Sequence, residues 1–244
     1  MNSIAAENMD TNTKKIECAN CRAFSSCISA TLSEDELLPF ENNLLQRIKL
    51  KKGRSIYLKG ISSESFHIVR LGFLKTTLML KNGEQHVLGF KMEGDILGLE
   101  NLKNNSHQVS VTALEDTILC SFNISSLHKI FAHNNFLRDF LYKSMRREIS
   151  CNQQMSLLLA KMSAEERLCS FLCELSESFV LRGYSATSFN LRMSRNDIAS
   201  YLGLRMETIC RCFTRLQGSL LINTSGSSIE IVDLLKIKEM ACRL

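Results

Sequence analysis

The chain has 244 residues, 45% apolar and 23% charged, which fits one large or two small globular domains and excludes a disordered or fibrous chain. No apolar run approaches the ~20 residues needed to span a bilayer, and the Met1-Asn2-Ser3-Ile4 terminus lacks the apolar core of a signal peptide. No membrane partner is therefore expected, the cytoplasm is the expected compartment, and a net charge of +5 is too mild to name a partner.

Residues 1–17 are polar. Residues 18–27 form a cysteine-bearing arm, with Cys18, Cys21 and Cys27 in a C-x2-C-x5-C pattern. From Leu44 to about Asn123 the chain breaks into short β-like runs: Arg54–Leu58, Phe66–Arg70, Phe73–Leu80, Gln85–Phe90, Val109–Ala113 and Thr117–Phe122. Turn formers separate them, among them Lys52-Gly53, Glu93-Gly94-Asp95 and the strong hairpin signal Asn82-Gly83. Many short strands at regular spacing predict a barrel-like or jelly-roll sheet.

The period then becomes helical. No Gly or Pro interrupts Asn134 to Ala160, and Leu137, Leu141, Met145, Ile149, Asn152, Ser156 and Leu159 recur at spacings of three and four. Such a helix is about 40 Å long at ~1.5 Å per residue, and its stripe suits pairing with its own copy or packing on its own domain. Ser163-Ala164-Glu165-Glu166 reads as a capping box that opens a second helix, running to about Phe179. Residues 194–217 hold two short helices around Leu202-Gly203-Leu204, and Leu220–Val232 holds two β-like runs around Thr224-Ser225-Gly226-Ser227, a hairpin wing.

The pair of short helices carries the chemistry of a nucleic-acid reader. Ser194 caps the first helix and Asp197 suits the dipole at its third position. Ile198 and Leu202 supply its buried face; Ile209, Phe213 and Leu216 supply that of the second helix, leaving Glu207, Cys210 and Arg211 opposite. Five arginines (Arg192, Arg195, Arg205, Arg211, Arg215) stand against only Asp197 and Glu207 in this stretch, a polarity that suits a polyanion. In helix-turn-helix geometry the second helix enters the major groove, where Arg donates two bonds to guanine and Glu accepts from cytosine. Thr208 and the backbone near the helix start can hold phosphates.

Ten cysteines in a cytosolic chain argue against a disulfide framework. Cys169 and Cys173, at i and i+4 in an apolar helical pattern, read as small buried hydrophobes. Cys18, Cys21 and Cys27, with Cys120 at the end of a predicted strand, are soft ligands that suit either an iron–sulfur cluster or a structural zinc. No enzyme is expected: the chain has no Gly-rich phosphate loop, nucleophile elbow or H-E-x-x-H, and its five histidines show no ligand spacing.

Met193-Ser194-Arg195-Asn196-Asp197-Ile198-Ala199-Ser200-Tyr201-Leu202-Gly203-Leu204, followed by Glu207-Thr208-Ile209-Cys210-Arg211, resembles the signature of the Crp/Fnr family of bacterial transcription regulators. Leu157-Leu158-Leu159-Ala160-Lys161-Met162-Ser163-Ala164-Glu165-Glu166-Arg167-Leu168 is similar to the FNR (fumarate and nitrate reduction) branch, as is the apolar Met206. The resemblance runs from Cys18 to the wing. It implies an α+β fold of four segments: a cysteine-bearing arm (1–27), a cyclic-nucleotide-binding-like β-roll sensor domain (28–133), a dimerisation helix (134–160) and a C-terminal winged helix-turn-helix (161–244). It further implies that Cys18, Cys21, Cys27 and Cys120 ligate an oxygen-labile [4Fe–4S] cluster. Glu207 and Arg211 would read bases, with Cys210 in the place of the branch's Ser and Thr208, Arg195 and Arg205 beside them. Leu141, Met145, Ile149, Asn152, Ser156 and Leu159 would form the seam of a homodimer on a two-fold symmetric double-stranded DNA site. The branch has Asp where this chain has Asn152. RNA polymerase is the further partner implied, through surface loops of which the Asn82-Gly83 hairpin is one. The family's nucleotide sensors place a Glu directly after the Gly of one phosphate-binding segment and an Arg-Ser pair on the next. Here Gly98 is followed by Leu99-Glu100 and the other segment reads His107-Gln108-Val109, so no cyclic nucleotide is expected.

Overall fold

The computed structural model describes residues 18–57, 65–81, 83–98, 107, 109–123 and 135–241. Asn82 of the predicted hairpin, Leu99, Glu100 and Gln108 of the expected phosphate segments, and Asn134 at the expected helix start lie outside them. The chain divides into two compact units, Met1–Arg146 and Arg147–Leu244.

In the first unit, two short 3-10 turns (Phe24–Ser26, Ile28–Thr31) and α1 (Glu34–Asn42) precede eight strands. These are β1 (Leu44–Leu50), β2 (Ser55–Tyr57), β3 (Ser65–Leu71), β4 (Leu74–Met79), β5 (Gln85–Lys91), β6 (Ile96–Leu97), β7 (Ser110–Ala113) and β8 (Thr117–Asn123). They form two four-stranded antiparallel sheets ordered β1-β8-β3-β6 and β2-β7-β4-β5, the β-roll. Period-2 alternation gives the first sheet two buried faces. Val69 and Leu119 join Tyr57, Leu74, Leu97 and Val111, the core shared by the two sheets. Phe66, Ile68 and Phe122 face the other way and pack with Ile28, directly after the arm, Phe40 of α1 and Leu137 of the long helix. This outer cluster seats the arm.

α2 (Asn135–Lys161) belongs to both units, since the division falls between Arg146 and Arg147. The second unit continues with α3 (Ala164–Val180), β9 (Ser188–Asn190), α4 (Arg195–Tyr201), α5 (Met206–Gly218), β10 (Ile222–Ser225), β11 (Ser228–Ile231) and α6 (Leu234–Ala241). The predicted capping box of Ser163 and Glu166 opens α3, and Ser194 caps α4 as expected, with Asp197 reaching back to complete a second box that the sequence pattern had not marked. Ile198, Leu202, Ile209, Phe213 and Leu216 are buried between α4, α5 and their neighbours. The wing is the β10–β11 hairpin, extended by β9 into a three-stranded sheet. α1, β1, β6, β9 and α6 are elements that the strand and helix patterns had not marked. No described helix is long and apolar enough to cross a membrane.

Candidate functional site

The arm is wound in three-residue turns. Cys21 N donates to Cys18 O (2.9 Å), Phe24 N to Cys21 O (2.9 Å), Cys27 N to Phe24 O (3.1 Å) and Ala30 N to Cys27 O (3.0 Å). The turns are separate rather than one helix, since Cys27, between the two 3-10 turns, has the extended angles φ −90° and ψ 158°. The carboxylate of Glu41, at the end of α1, accepts the Cys18 N–H and ties the start of the arm down.

Cys120 lies on the outer face of the first sheet, in phase with Phe122, and packs with Cys27 against the outer apolar cluster. The four thiols lie within electrostatic reach of one another: Cys18 is influenced by Cys27 and Cys120, Cys27 by Cys21, and Cys120 by Cys27 and Cys21. Burial, reinforced for Cys18 by Glu41, pushes the Cys18 and Cys120 thiols up to about 12, and burial also raises Cys27. Without a metal these thiols are protonated at neutral pH, so a metal would have to displace their protons. Arg47 is the cross-strand partner of Cys120 and, with Arg70, opposes that rise. The Nε of Arg47 is buried with no hydrogen-bond partner among the described residues. Among the described residues no three His, Cys, Asp or Glu side chains close around a single ion. The donor set, four soft thiols in an apolar seat with cations beside the distal one, fits an anionic thiolate-held cluster. None of the described cysteines is in a disulfide; Cys169 is fully buried as the sequence suggests, whereas Cys173, expected buried with it, is only half-buried.

The predicted DNA-reading residues divide. Glu207, Cys210 and Arg211 lie exposed on one face of α5, and Thr208 is half-buried at its start. Arg205, exposed, is the N-cap of α5. Arg195 is turned inward: its guanidinium lies 3.4 Å from the centre of the Phe213 ring, and its Nη1 is buried with no hydrogen-bond partner among the described residues. Burial lowers its pKa, partly offset by nearby Cys210. This is a cation–π contact across α4 and α5 rather than a free phosphate clamp. Arg215, also in the sequence cluster, is paired with Glu165 at 2.7 Å.

Along α2, Leu141 is half-buried, while Met145 (40% exposed), Ile149 (55%) and Leu159 (39%), with Asn152 and Ser156, are exposed in the single chain. Ser156 Oγ donates back to Asn152 O at 3.0 Å. Leu137, which continues the stripe in sequence, is instead buried in the outer cluster. Leu158 and Met162 are buried where the stripe gave no signal, and Tyr142 and Leu157 add exposed apolar surface. In the β-roll, His107 is fully buried and its ring stacks on Tyr57 with centroids 3.3 Å apart.

Known proteins align with both halves. The Crp-like helix-turn-helix domain matches residues 166–240 and the cyclic nucleotide-binding domain matches residues 47–134. The transcriptional activator protein Anr of Pseudomonas protegens is 37% identical over 92% of each chain. The fumarate and nitrate reduction regulatory protein of Yersinia pestis is 34% identical, covering 88% of this chain and 86% of its own. Among solved structures, FixK2 from Bradyrhizobium japonicum has a TM-score of 0.74 at 26% identity, covering 82% of this chain and 98% of its own. A β-roll joined through a long helix to a winged helix-turn-helix, with Glu207 and Arg211 presented on an open helix face, defines a DNA-binding transcription regulator and not an enzyme. The chain belongs to the Crp/Fnr family.

Proposed function

We propose that this regulator responds to oxygen through a [4Fe–4S] cluster held by Cys18, Cys21, Cys27 and Cys120, and that the intact cluster favours a homodimer bound to promoter DNA under anaerobic conditions. The observation that carries the reading is the packing of Cys27 and Cys120 on one apolar cluster at the outer face of the β-roll, with Cys18 and Cys21 within electrostatic reach. The likeness to the fumarate and nitrate reduction regulatory protein of Yersinia pestis supports the signal. When bound, the cluster would supply an oxygen-labile bridge between arm and sheet.

The dimer seam is assigned to Leu141, Met145, Ile149, Asn152, Ser156 and Leu159, whose mostly exposed stripe suits a second copy of α2. Two copies of α5 would then enter successive major grooves, ~34 Å apart, on a two-fold symmetric site. Glu207 and Arg211 read bases; Thr208, Cys210 and Arg205 lie at the same end of α5. Arg195 supports α5 from behind through Phe213. The segments 1–27, 28–133, 134–160 and 161–244 serve as arm, sensor, dimerisation helix and DNA-binding domain of a cytoplasmic protein. RNA polymerase is the proposed further partner, contacted through the loop joining β4 and β5. A cyclic nucleotide is not a proposed ligand: His107, in the segment where the family's sensors carry their phosphate-pairing Arg, is buried against Tyr57.

The test is iron, sulfide and zinc analysis with an absorption spectrum of anaerobically purified protein. Four iron and four sulfide per chain are expected, lost in each of Cys18→Ala, Cys21→Ala, Cys27→Ala and Cys120→Ala and retained in Cys151→Ala, Cys169→Ala and Cys173→Ala. One zinc per chain without iron or sulfide would replace the switch by a structural zinc site.

A further inference from the structure

The guanidinium of Arg167 makes three hydrogen bonds, all to main-chain carbonyls. Nη2 donates to Leu159 O (2.9 Å), Nε to Met162 O (3.0 Å) and Nη1 to Leu202 O (3.0 Å). Leu159 is in the last turn of α2, Met162 directly follows that helix, and Leu202 is the C-cap of α4. Carbonyls at helix C-termini have no partner within their own helix, and the helix dipole favours a cation beside them. Two C-terminal ends thus share one side chain. Arg167 itself sits in the first turn of α3, which the Ser163–Glu166 capping box fixes.

Packing follows the same path. Gly203, in the turn between α4 and α5, has φ +63°, and a Cβ built on it would lie 3.0 Å from Leu159 Cδ2 and 3.8 Å from Arg167 Nη1. The turn of the helix-turn-helix is therefore seated on the end of α2, with Arg167 clamped beside it. The three bonds leave from three different nitrogens of a planar fork, a spread that the single ammonium nitrogen of a lysine does not match although it also carries three donors.

We propose that Arg167 is a positioning residue: it locks the α4–α5 turn to the end of the dimerisation helix and so sets the separation and angle of the two recognition helices. It reads no base. The proposal rests on the reading above that α2 pairs with its own copy.

The test separates position from base reading and from folding. The probe is a two-half-site duplex selected from a random pool by the wild-type, full-length, anaerobically prepared protein, together with versions that gain or lose one base pair between half-sites. Each step moves a half-site by ~3.4 Å and turns it by about 35°. Wild type should lose roughly tenfold or more in affinity per step, comparable to a mismatched base. Arg167→Lys and Arg167→Ala should bind the selected duplex less tightly and discriminate spacing by less than about threefold. Both should keep the wild-type penalty for a single base changed under α5, and a wild-type dimer constant in sedimentation. Wild-type spacing discrimination in the variants would overturn the proposal. So would a joint loss of spacing and base discrimination, which marks general unfolding. If Arg167→Ala does not fold, Arg167→Lys decides, since it keeps a cation between the two helix ends. Unfolding of both would assign Arg167 to stability alone and overturn the positioning role. A wild-type protein that sediments as a monomer on DNA and ignores spacing would instead remove the dimer reading beneath it.

Discussion

Replacing Gly94 by alanine should lift the cysteine arm off the β-roll. Gly94 has φ +87°, in a turn where its N–H donates to Val69 O at 2.8 Å. A Cβ there would lie 2.2 Å from the carbonyl oxygen of Ser26 and 2.6 Å from its carbon. Real Cβ contacts essentially never fall under 3.0 Å, so the Ser26 backbone has to retreat by about 0.8 Å, and Cys27 is its neighbour. Two costs combine. A left-handed alanine costs about 1–2 kcal/mol wherever it stands. If the arm lifts, buried Ile28 (1% exposed) is also uncovered, worth about 1.5–3 kcal/mol. Gly83 separates the two: its φ is +85°, yet an added Cβ meets nothing within 4 Å. Gly83→Ala should therefore lose only the strain and keep the arm. The readouts are the alkylation rate of Cys27 in metal-free protein, followed by mass spectrometry, and iron and sulfide content after anaerobic reconstitution. A single unfolding free energy is a poor measure for a chain of two compact units, so the local readouts decide. Gly94→Ala should alkylate at Cys27 at least tenfold faster than Gly83→Ala and hold little iron. Equal alkylation and equal iron in the two variants would refute the seating of the arm on Gly94.

Glu207→Ala and Arg211→Ala should each cost ~1–3 kcal/mol at one base pair and relax specificity there, measured on sites changed one base at a time; a wild-type ratio of cognate to scrambled binding would move base reading off α5. Arg205→Gln should reduce the slope of log affinity against log salt by about one phosphate contact. Arg195→Gln should leave that slope nearly unchanged and lower the melting temperature, because its guanidinium lies on Phe213; equal slope losses would put Arg195 on the DNA. Asn152→Asp should weaken the cluster-free dimer at neutral pH, since two carboxylates meeting in the seam repel. That repulsion raises their pKa, so the loss should shrink as pH falls through it; equal sedimentation constants for both proteins at neutral pH would remove Asn152 from the seam.

The strands were legible wherever apolar residues alternate between turn formers, and the long helix wherever a period of three and four runs unbroken. β1 escaped because its register shifts between Leu44 and Gln46, which blurs the alternation. α1 escaped because Pro39 stands inside it, and β6 and β9 because two and three residues carry no period. The recognition face was readable, since Ile209, Phe213 and Leu216 fix which side of α5 is inward. The orientation of Arg195 was not: composition counts its charge, and only tertiary packing reveals the Phe213 ring beneath it. Leu137 fits the dimer stripe by spacing yet faces the β-roll, because the first turns of α2 close the outer cluster. The partnership of Cys120 with the arm required the phase of β8, and a distant cysteine at a strand end does not supply that. Arg167 reads in sequence as one more charge after a capping box; its three carbonyl partners come from residues on both sides of it, as far as Leu202.

The placement of these residues constrains how a switch can work. The four cysteines of the proposed site belong to the first unit and Glu207 and Arg211, the proposed base readers, to the second, while α2 spans both. Leu137 and Phe140 join the apolar cluster that also carries Cys27 and Cys120, and Leu159 carries the seat of the α4–α5 turn. A bound cluster can shift the chain toward its DNA-binding form only by the difference in its affinity for the two forms. Moving a population from 1:99 to 99:1 requires ~5.5 kcal/mol, and a dimer holding two clusters can supply about half from each. Linkage is reciprocal, so specific DNA must raise cluster affinity by the same factor by which the cluster raises DNA affinity. A support that gives way at either end of α2 lowers that factor in both directions. Gly94→Ala acts at the arm, where it should weaken the hold on a cluster itself, whereas Arg167→Lys acts at the turn and should uncouple cluster from DNA while leaving Cys18, Cys21, Cys27 and Cys120 in place.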